Sequence, residues 1–209
     1  MVDTEPISRS VWDQFLMRYG YTLDEHTYQR MLGRRNDVSA GILLEAFDLP
    51  LTVAEVIERK EAIYQRLRAK GVPVMAGLVE LQAEIEARGI LWAVATASPR
   101  RHAAMILEQL QLLHKCPAIA AGDEVAYAKP APDVYLLAAE KLGVTPQRCL
   151  ALEDSVPGSQ AAAAAGMRVI AIPNEQTRKG DFSHAYRRMD SLHDVLKNLD
   201  QLLAIGEAS

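Results

Sequence analysis

Beyond Gly71 the sequence alternates short, unbroken apolar runs with segments of helical period, and no other feature narrows its fold as far. "GLVELQAEIEARG" has helical spacing and stops at Gly89, and "ILWAVA", Ile90 to Ala95, follows as a solid apolar run. A helix over about Arg100 to Leu113 leads to the short run "AIAAG". "APDVYLLAAEKLG" reads as a helix closed by Gly143, "CLAL" as a run, "GSQAAAAAG" as a helix closed by Gly166, and "RVIAI" as a run. A last helix is expected over about Leu192 to Ala204. Runs this short and this apolar are strands buried on both faces, and their alternation with helices gives a parallel sheet covered on both sides. The alanines Ala161 to Ala165 are expected on a helix packed closely against that sheet. The expected fold class is α/β, a doubly wound parallel-sheet core.

The stretch from about Val11 to Lys70 has a different rhythm, helical throughout, and is expected to hold three or four helices and no strand. Thr22-Leu-Asp-Glu25 and Thr52-Val-Ala-Glu55 both have the spacing of a capping box. Val53, Val56, Ile57, Ile63 and Leu67 fall on one helical face, and Gly71 follows as a C-terminal stop. The expected arrangement is a small all-helical insert, residues 9–74, near the N-terminus of a core formed by residues 1–8 and 75–209.

Composition bounds the function. At 49% hydrophobic and 24% charged over 209 residues the chain is ordinary globular protein. A net charge of -4 argues against a nucleic-acid partner, and Arg34-Arg35 and Arg100-Arg101 are only local basic spots. No apolar run reaches the roughly 20 residues of a membrane span. The N-terminus lacks the basic and apolar regions of a signal peptide. Cys116 and Cys149 lack metal or redox spacing, and Cys149, opening an apolar run, is expected as a buried free thiol. A cytoplasmic monomer is the expected setting.

In a doubly wound fold ligands sit at the C-terminal ends of the strands. After "ILWAVA" stands Thr96-Ala97-Ser98-Pro99-Arg100. A hydroxyl just before a helix N-terminus suits a phosphate or simply caps the helix. After "AIAAG" comes "DEVAYAKPAPD", where Pro130 and Pro132 stiffen the loop that carries Lys129. "CLAL" is followed by Glu153-Asp154-Ser155. Adjacent carboxylates at the end of a buried strand are costly unless compensated, and Mg²⁺ compensates them with oxygen ligands. Capping of the next helix is the other use for Asp154 or Ser155. A hydroxyl, a lysine and an acidic pair at one sheet edge are the means of holding a phosphoryl group. No Ser–His–Asp or Cys–His set stands out, and the five histidines read as structural or surface residues.

These motifs resemble those of the haloacid dehalogenase superfamily phosphatases, in the β-phosphoglucomutase-like group with a small helical cap. "AVATASPRR" resembles the second motif of that family, "AKPAPDVYLLAAEKLG" the third and "CLALEDSVPGSQAAAAAGMRVIAIPN" the fourth. The resemblance implies a Rossmann-like core and gives Thr96 and Lys129 the phosphoryl-holding roles. It makes Glu153 and Asp154 magnesium-binding acids, and Ala97, Ser98 and Arg100 substrate-side residues. The cap is expected to close over the site, with Arg34 or Arg35 reaching in.

The first motif of the family is a strand ending in Asp-x-Asp-Gly, often followed by a segment like Asp3-Thr4-Glu5-Pro6. Its first aspartate is the nucleophile and a metal ligand, and its second is the general acid and base. Neither is present here, and the sequence is expected to be truncated, with Met1 an internal methionine. Without that strand the strands at Ile90 and Cys149 are expected to lack partners. Each unpaired buried group costs about 1–3 kcal/mol. The full-length protein is expected to be a Mg²⁺-dependent phosphatase of small phosphorylated metabolites, sugar phosphates or phosphoglycolate-like compounds, working through an aspartyl-phosphate. The alternatives are a phosphosugar mutase and a non-catalytic pseudophosphatase that binds phosphorylated ligands. The sequence as it stands is expected to show no turnover.

Overall fold

The computed structural model describes residues 5–68 and 71–204. Met1 to Thr4, Lys70 and the "GEAS" tail lie outside the described residues. The described residues divide into two compact units, one before and one from Val74 onward.

The first unit is helical. Its elements are α1 (Glu5–Met17), α2 (Glu25–Met31), α3 (Asn36–Ala46) and α4 (Val53–Arg68). Val11, Trp12, Phe15, Leu16, Leu43, Val56 and Ile63 close its core. The Thr52–Glu55 capping box forms: Thr52 N–H and Oγ1 donate to Glu55 Oε2, each at 2.8 Å, and Glu55 N–H donates to Thr52 Oγ1 at 3.3 Å. The box expected at Thr22 does not form. Asp24 caps α2 instead, accepting from Thr27 N–H at 2.8 Å, because a carboxylate one residue before the helix already satisfies that donor. Val53, expected on the buried face of α4, is exposed. That face runs through Val56, Lys60, Ile63 and Tyr64, and the Lys60 ammonium lies 4.4 Å from the Trp12 ring centroid.

The second unit is the α/β core. Its elements run α5 (Leu78–Ala87), β1 (Ala93–Ala95), α6 (Arg100–Gln109), β2 (Ala118–Ala120), α7 (Asp133–Leu142), β3 (Leu150–Glu153), α8 (Val156–Ala164), β4 (Arg168–Ala171), β5 (Arg187–Arg188), α9 (Leu192–Lys197) and α10 (Leu199–Ala204). All strand pairs are parallel. They form two ladders, β1-β2 and β3-β4-β5. β5 has no apolar run to announce it; it is a two-arginine edge strand.

β4 shows why both faces are covered. Val169 packs with Ala161 and Ala162 of α8 and Val134 of α7. Ile170 and Ile172 pack with Leu81 of α5 and with Leu192, Val195 and Leu199. Ala161 and Ala162 are fully buried, since only a methyl side chain lets α8 lie this close to the strands.

The expected single C-terminal helix is two. Asn198 leaves helical geometry, and its side-chain amide donates to Asp194 O at 2.8 Å, terminating α9. Helix α6 ends at Gln109, short of the expected Leu113, and Gln111 takes a left-handed conformation. Cys149 is half-buried, as its run becomes strand only from Leu150, and both cysteines are free.

β1 and β3 each have one edge that no strand pairs with among the described residues. Thr96 N–H donates to Ala120 O, so alternate residues Ala93 and Ala95 turn their backbone groups away from β2. Ile172 N–H donates to Glu153 O, so Leu150 and Leu152 turn theirs away from β4.

Candidate active site

The site forms where β1, β2 and β3 end. Thr96 follows β1, and its Oγ1 accepts from Ser98 N–H at 3.1 Å. The loop after β2 locks this turn: Gly122 N–H donates to Ser98 O at 3.1 Å. A Cβ at Gly122 would overlap the Ala97 carbonyl, so the two loops can approach only over a glycine. Arg100 N–H, the first donor of α6, donates to Asp123 Oδ1 at 2.8 Å. That donor of the helix terminus is thus occupied by a carboxylate of the chain itself.

The Arg100 guanidinium is held at the outer edge of β2. It donates to Ile119 O at 2.8 Å, as does Lys141 Nζ at 2.7 Å, and both cations meet Glu124 Oε1. Ala97 is half-buried in the turn, and Ser98 is exposed. Arg34 and Arg35 lie in the helical unit. Arg34 Nε donates to Arg30 O at 2.8 Å, and Arg35 pairs with both oxygens of Asp37, at 2.7 and 2.5 Å.

Lys129 stands in the loop before α7, where the Lys129–Pro130 peptide is cis. Its Nζ donates to Glu153 Oε1 at 2.5 Å and lies 3.4 Å from Ala95 O, one residue before Thr96. The lysine thereby spans the end of β1 and the end of β3. Tyr135 of α7 donates its hydroxyl to the same Glu153 oxygen. The other oxygen, Oε2, accepts from Asp154 N–H, Ser155 N–H and Ser155 Oγ at 3.1, 3.2 and 3.0 Å. Burial alone would raise the Glu153 carboxyl. The Lys129 charge and the hydrogen bonds from Lys129, Tyr135 and Ser155 outweigh it and hold the group below its ordinary value. Burial and the Glu153 charge push the Tyr135 hydroxyl well above its own.

Asp154 is in a different state from its neighbour. Its Oδ2 accepts from Asn174 Nδ2 at 3.3 Å. Burial, with the adjacent Glu153 charge adding to it, pushes its carboxyl up. Asn174 Oδ1 accepts from Gln176 N–H, Thr177 N–H and Thr177 Oγ1 at 3.0, 3.0 and 3.1 Å, which fixes the amide with its nitrogen toward Asp154.

Among the described residues no three His, Cys, Asp or Glu side chains form a metal cluster. A magnesium ion still fits the donor set. It keeps several waters and needs only one or two carboxylates beside phosphate oxygens, and Asp154 supplies a carboxylate that takes a side-chain hydrogen bond from Asn174. Glu153, expected as its co-ligand, has both oxygens engaged by protein donors.

The structure thus brings Thr96, Lys129, Glu153 and Asp154 to one edge, with Arg100 turned to the outer flank of β2. Tyr135 and Asn174 were not read from the sequence. Asn174 stands two residues past the run "RVIAI", at a strand end like Thr96 and Glu153, and that position is its signal in the sequence. The Tyr135 hydroxyl gave no signal, because an aromatic on the buried face of α7 is indistinguishable from core.

Comparison with known proteins identifies the family. Residues 1–166 match the family of haloacid dehalogenase-like hydrolases. Protein CbbY of Rhodobacter capsulatus is 41% identical over 171 residues, covering 78% of this chain and 71% of that protein. Fructose-1-phosphate phosphatase YqaB of Escherichia coli is 34% identical over 173 residues, covering 82% and 90%. Among solved structures, CbbY from Rhodobacter sphaeroides in complex with phosphate superposes with a TM-score of 0.86 at 31% identity, covering 96% of this chain and 94% of that one. The chain belongs to the haloacid dehalogenase-like hydrolases.

Proposed function

We propose that this protein handles small phosphorylated metabolites, sugar phosphates first among them, as a Mg²⁺-dependent phosphomonoester hydrolase. The carrying observation is the placement of Lys129 across the ends of β1 and β3, one residue from Thr96 and in contact with the Glu153-Asp154 pair. The similarity to YqaB, a fructose-1-phosphate phosphatase, and to CbbY in complex with phosphate supports this substrate class.

In this reading the Lys129 ammonium and the Thr96 hydroxyl hold oxygens of the transferring phosphoryl group and stabilise the charge that develops on them. Asp154 would hold the magnesium ion, with Glu153 beside it, and the ion would neutralise phosphoryl charge. Asn174 orients the Asp154 carboxylate. Ala97 and Ser98 line the turn at the substrate side. The family's nucleophile is an aspartate that precedes the residues matched by Asp3. Hydrolysis is proposed to run through that aspartate. The setting proposed is a cytoplasmic monomer; among the described residues no helix is long and apolar enough to cross a membrane.

The test is calorimetric titration of the 209-residue chain with inorganic phosphate, with and without Mg²⁺. The expected result is binding that Mg²⁺ strengthens, lost in Lys129→Met, with the Mg²⁺ effect lost in Asp154→Asn. Binding unaffected by either substitution overturns the reading.

A further inference from the structure

Tyr135 carries a polar group into a place that packing alone would fill with phenylalanine. It is 6% exposed, on the face of α7 that also buries Val134, Ala138 and Ala139. A buried hydroxyl is costly unless bonded. Here it donates to Glu153 Oε1, the oxygen that Lys129 also uses. The same hydroxyl oxygen lies 3.4 Å from Lys129 Nζ, and the ring centroid lies 4.8 Å from that nitrogen.

Lys129 has three protons to place. Glu153 takes one in a short, strong bond. The other two have Ala95 O and the Tyr135 hydroxyl, both at 3.4 Å and both weak by distance. Glu153 is in turn fixed from both sides: Oε2 by Ser155 and two backbone N–H groups, Oε1 by Tyr135 and Lys129.

From this we infer that the Tyr135 hydroxyl is a positioning group for Lys129. It pins the Glu153 oxygen that anchors the ammonium, and offers the ammonium a weak acceptor that a phosphoryl oxygen can displace. The inference rests on the phosphate-binding reading above, and it assigns Tyr135 no contact with substrate.

Tyr135→Phe keeps the ring, its packing and its contact with the ammonium, and removes only the hydroxyl. The full chain, labelled with ¹⁵N at lysine, gives two readouts. One is the side-chain ammonium signal of Lys129, identified by its loss in Lys129→Met; the other is the affinity for inorganic phosphate in Mg²⁺. In Tyr135→Phe the Lys129 signal is expected to broaden by faster proton exchange, with phosphate affinity falling about tenfold and the melting temperature little changed. Tyr135→Leu, which removes the ring as well, is expected to lower the melting temperature without weakening phosphate much further. An unchanged Lys129 signal in Tyr135→Phe overturns the inference, as does unchanged phosphate affinity in a protein whose wild type binds phosphate. Should the wild type bind no phosphate, the function reading fails by itself, and the Lys129 signal alone decides whether Tyr135 positions the lysine.

Discussion

Lys129 Nζ and Glu153 Oε1 form an ion pair at 2.5 Å with 6% and 7% of the two side chains exposed. Opposite charges are this deeply buried only when each compensates the other. Lys129→Met leaves Glu153 charged without its partner and is expected to cost roughly 3–5 kcal/mol. Lys129→Met combined with Glu153→Leu removes both charges and is expected to recover much of that loss. Urea denaturation of the three proteins checks this. A double variant as unstable as the single one would mean that packing, not charge, sets the cost.

Gly158 and Gly41 separate two roles of a helical glycine. A Cβ at Gly158 would overlap the Glu153 carboxylate, whereas one at Gly41 meets nothing within 4 Å. Gly158→Ala is expected to destabilise by about 1–3 kcal/mol and to disturb the Lys129–Glu153 pair. Gly41→Ala, in α3, is expected to stabilise by about 0.5–1 kcal/mol. Thermal melts of both variants give the two signs.

Glu124 supplies a pH dependence away from the site. Burial raises its carboxyl, but Lys141, the Ala121 N–H and Arg100 outweigh that and leave it below its ordinary value of 4.5. A depressed carboxyl contributes stability that is fully present above 4.5 and is lost as pH falls through the lower folded value. Glu124→Gln is therefore expected to lower stability at neutral pH and to flatten its acid side. Melting temperature against pH for both proteins is the measurement, and parallel curves would contradict it.

The edges of β1 and β3 that no strand pairs with among the described residues are expected to show in hydrogen exchange. Ala95 and Leu152 N–H groups, turned away from their ladders, should exchange faster than those of Val94 and Ala151, which face them. Equal protection would show that those edges are covered.

Sequence periodicity carried most of the fold, because burial on both faces of a parallel sheet leaves runs that nothing else produces. Gly89, Gly143 and Gly166 marked helix ends correctly, since each takes positive φ there. What stayed hidden depended on competition between neighbours. Asp24 displaced Thr22 as a cap by standing closer to the helix, and Asn198 split the last helix through a side-chain bond that periodicity does not register. At the site, Thr96, Lys129 and the acidic pair could be read because each follows an apolar run. The division of labour between Glu153 and Asp154 could not, as it arises from Tyr135, Ser155 and Asn174 contacts across the fold. Arg100 likewise stands next to the site in sequence, yet its long side chain reaches a carbonyl on the far side of β2.

That contact bears on how the protein behaves in a crowded solution. Arg100 and Lys141 cover the Ile119 carbonyl on one flank, and β5, on the other, consists of two arginines. Both outer margins of the core therefore present cations where another molecule would otherwise dock edge to edge. Charged side chains along a sheet edge disfavour its pairing with the edge of another sheet.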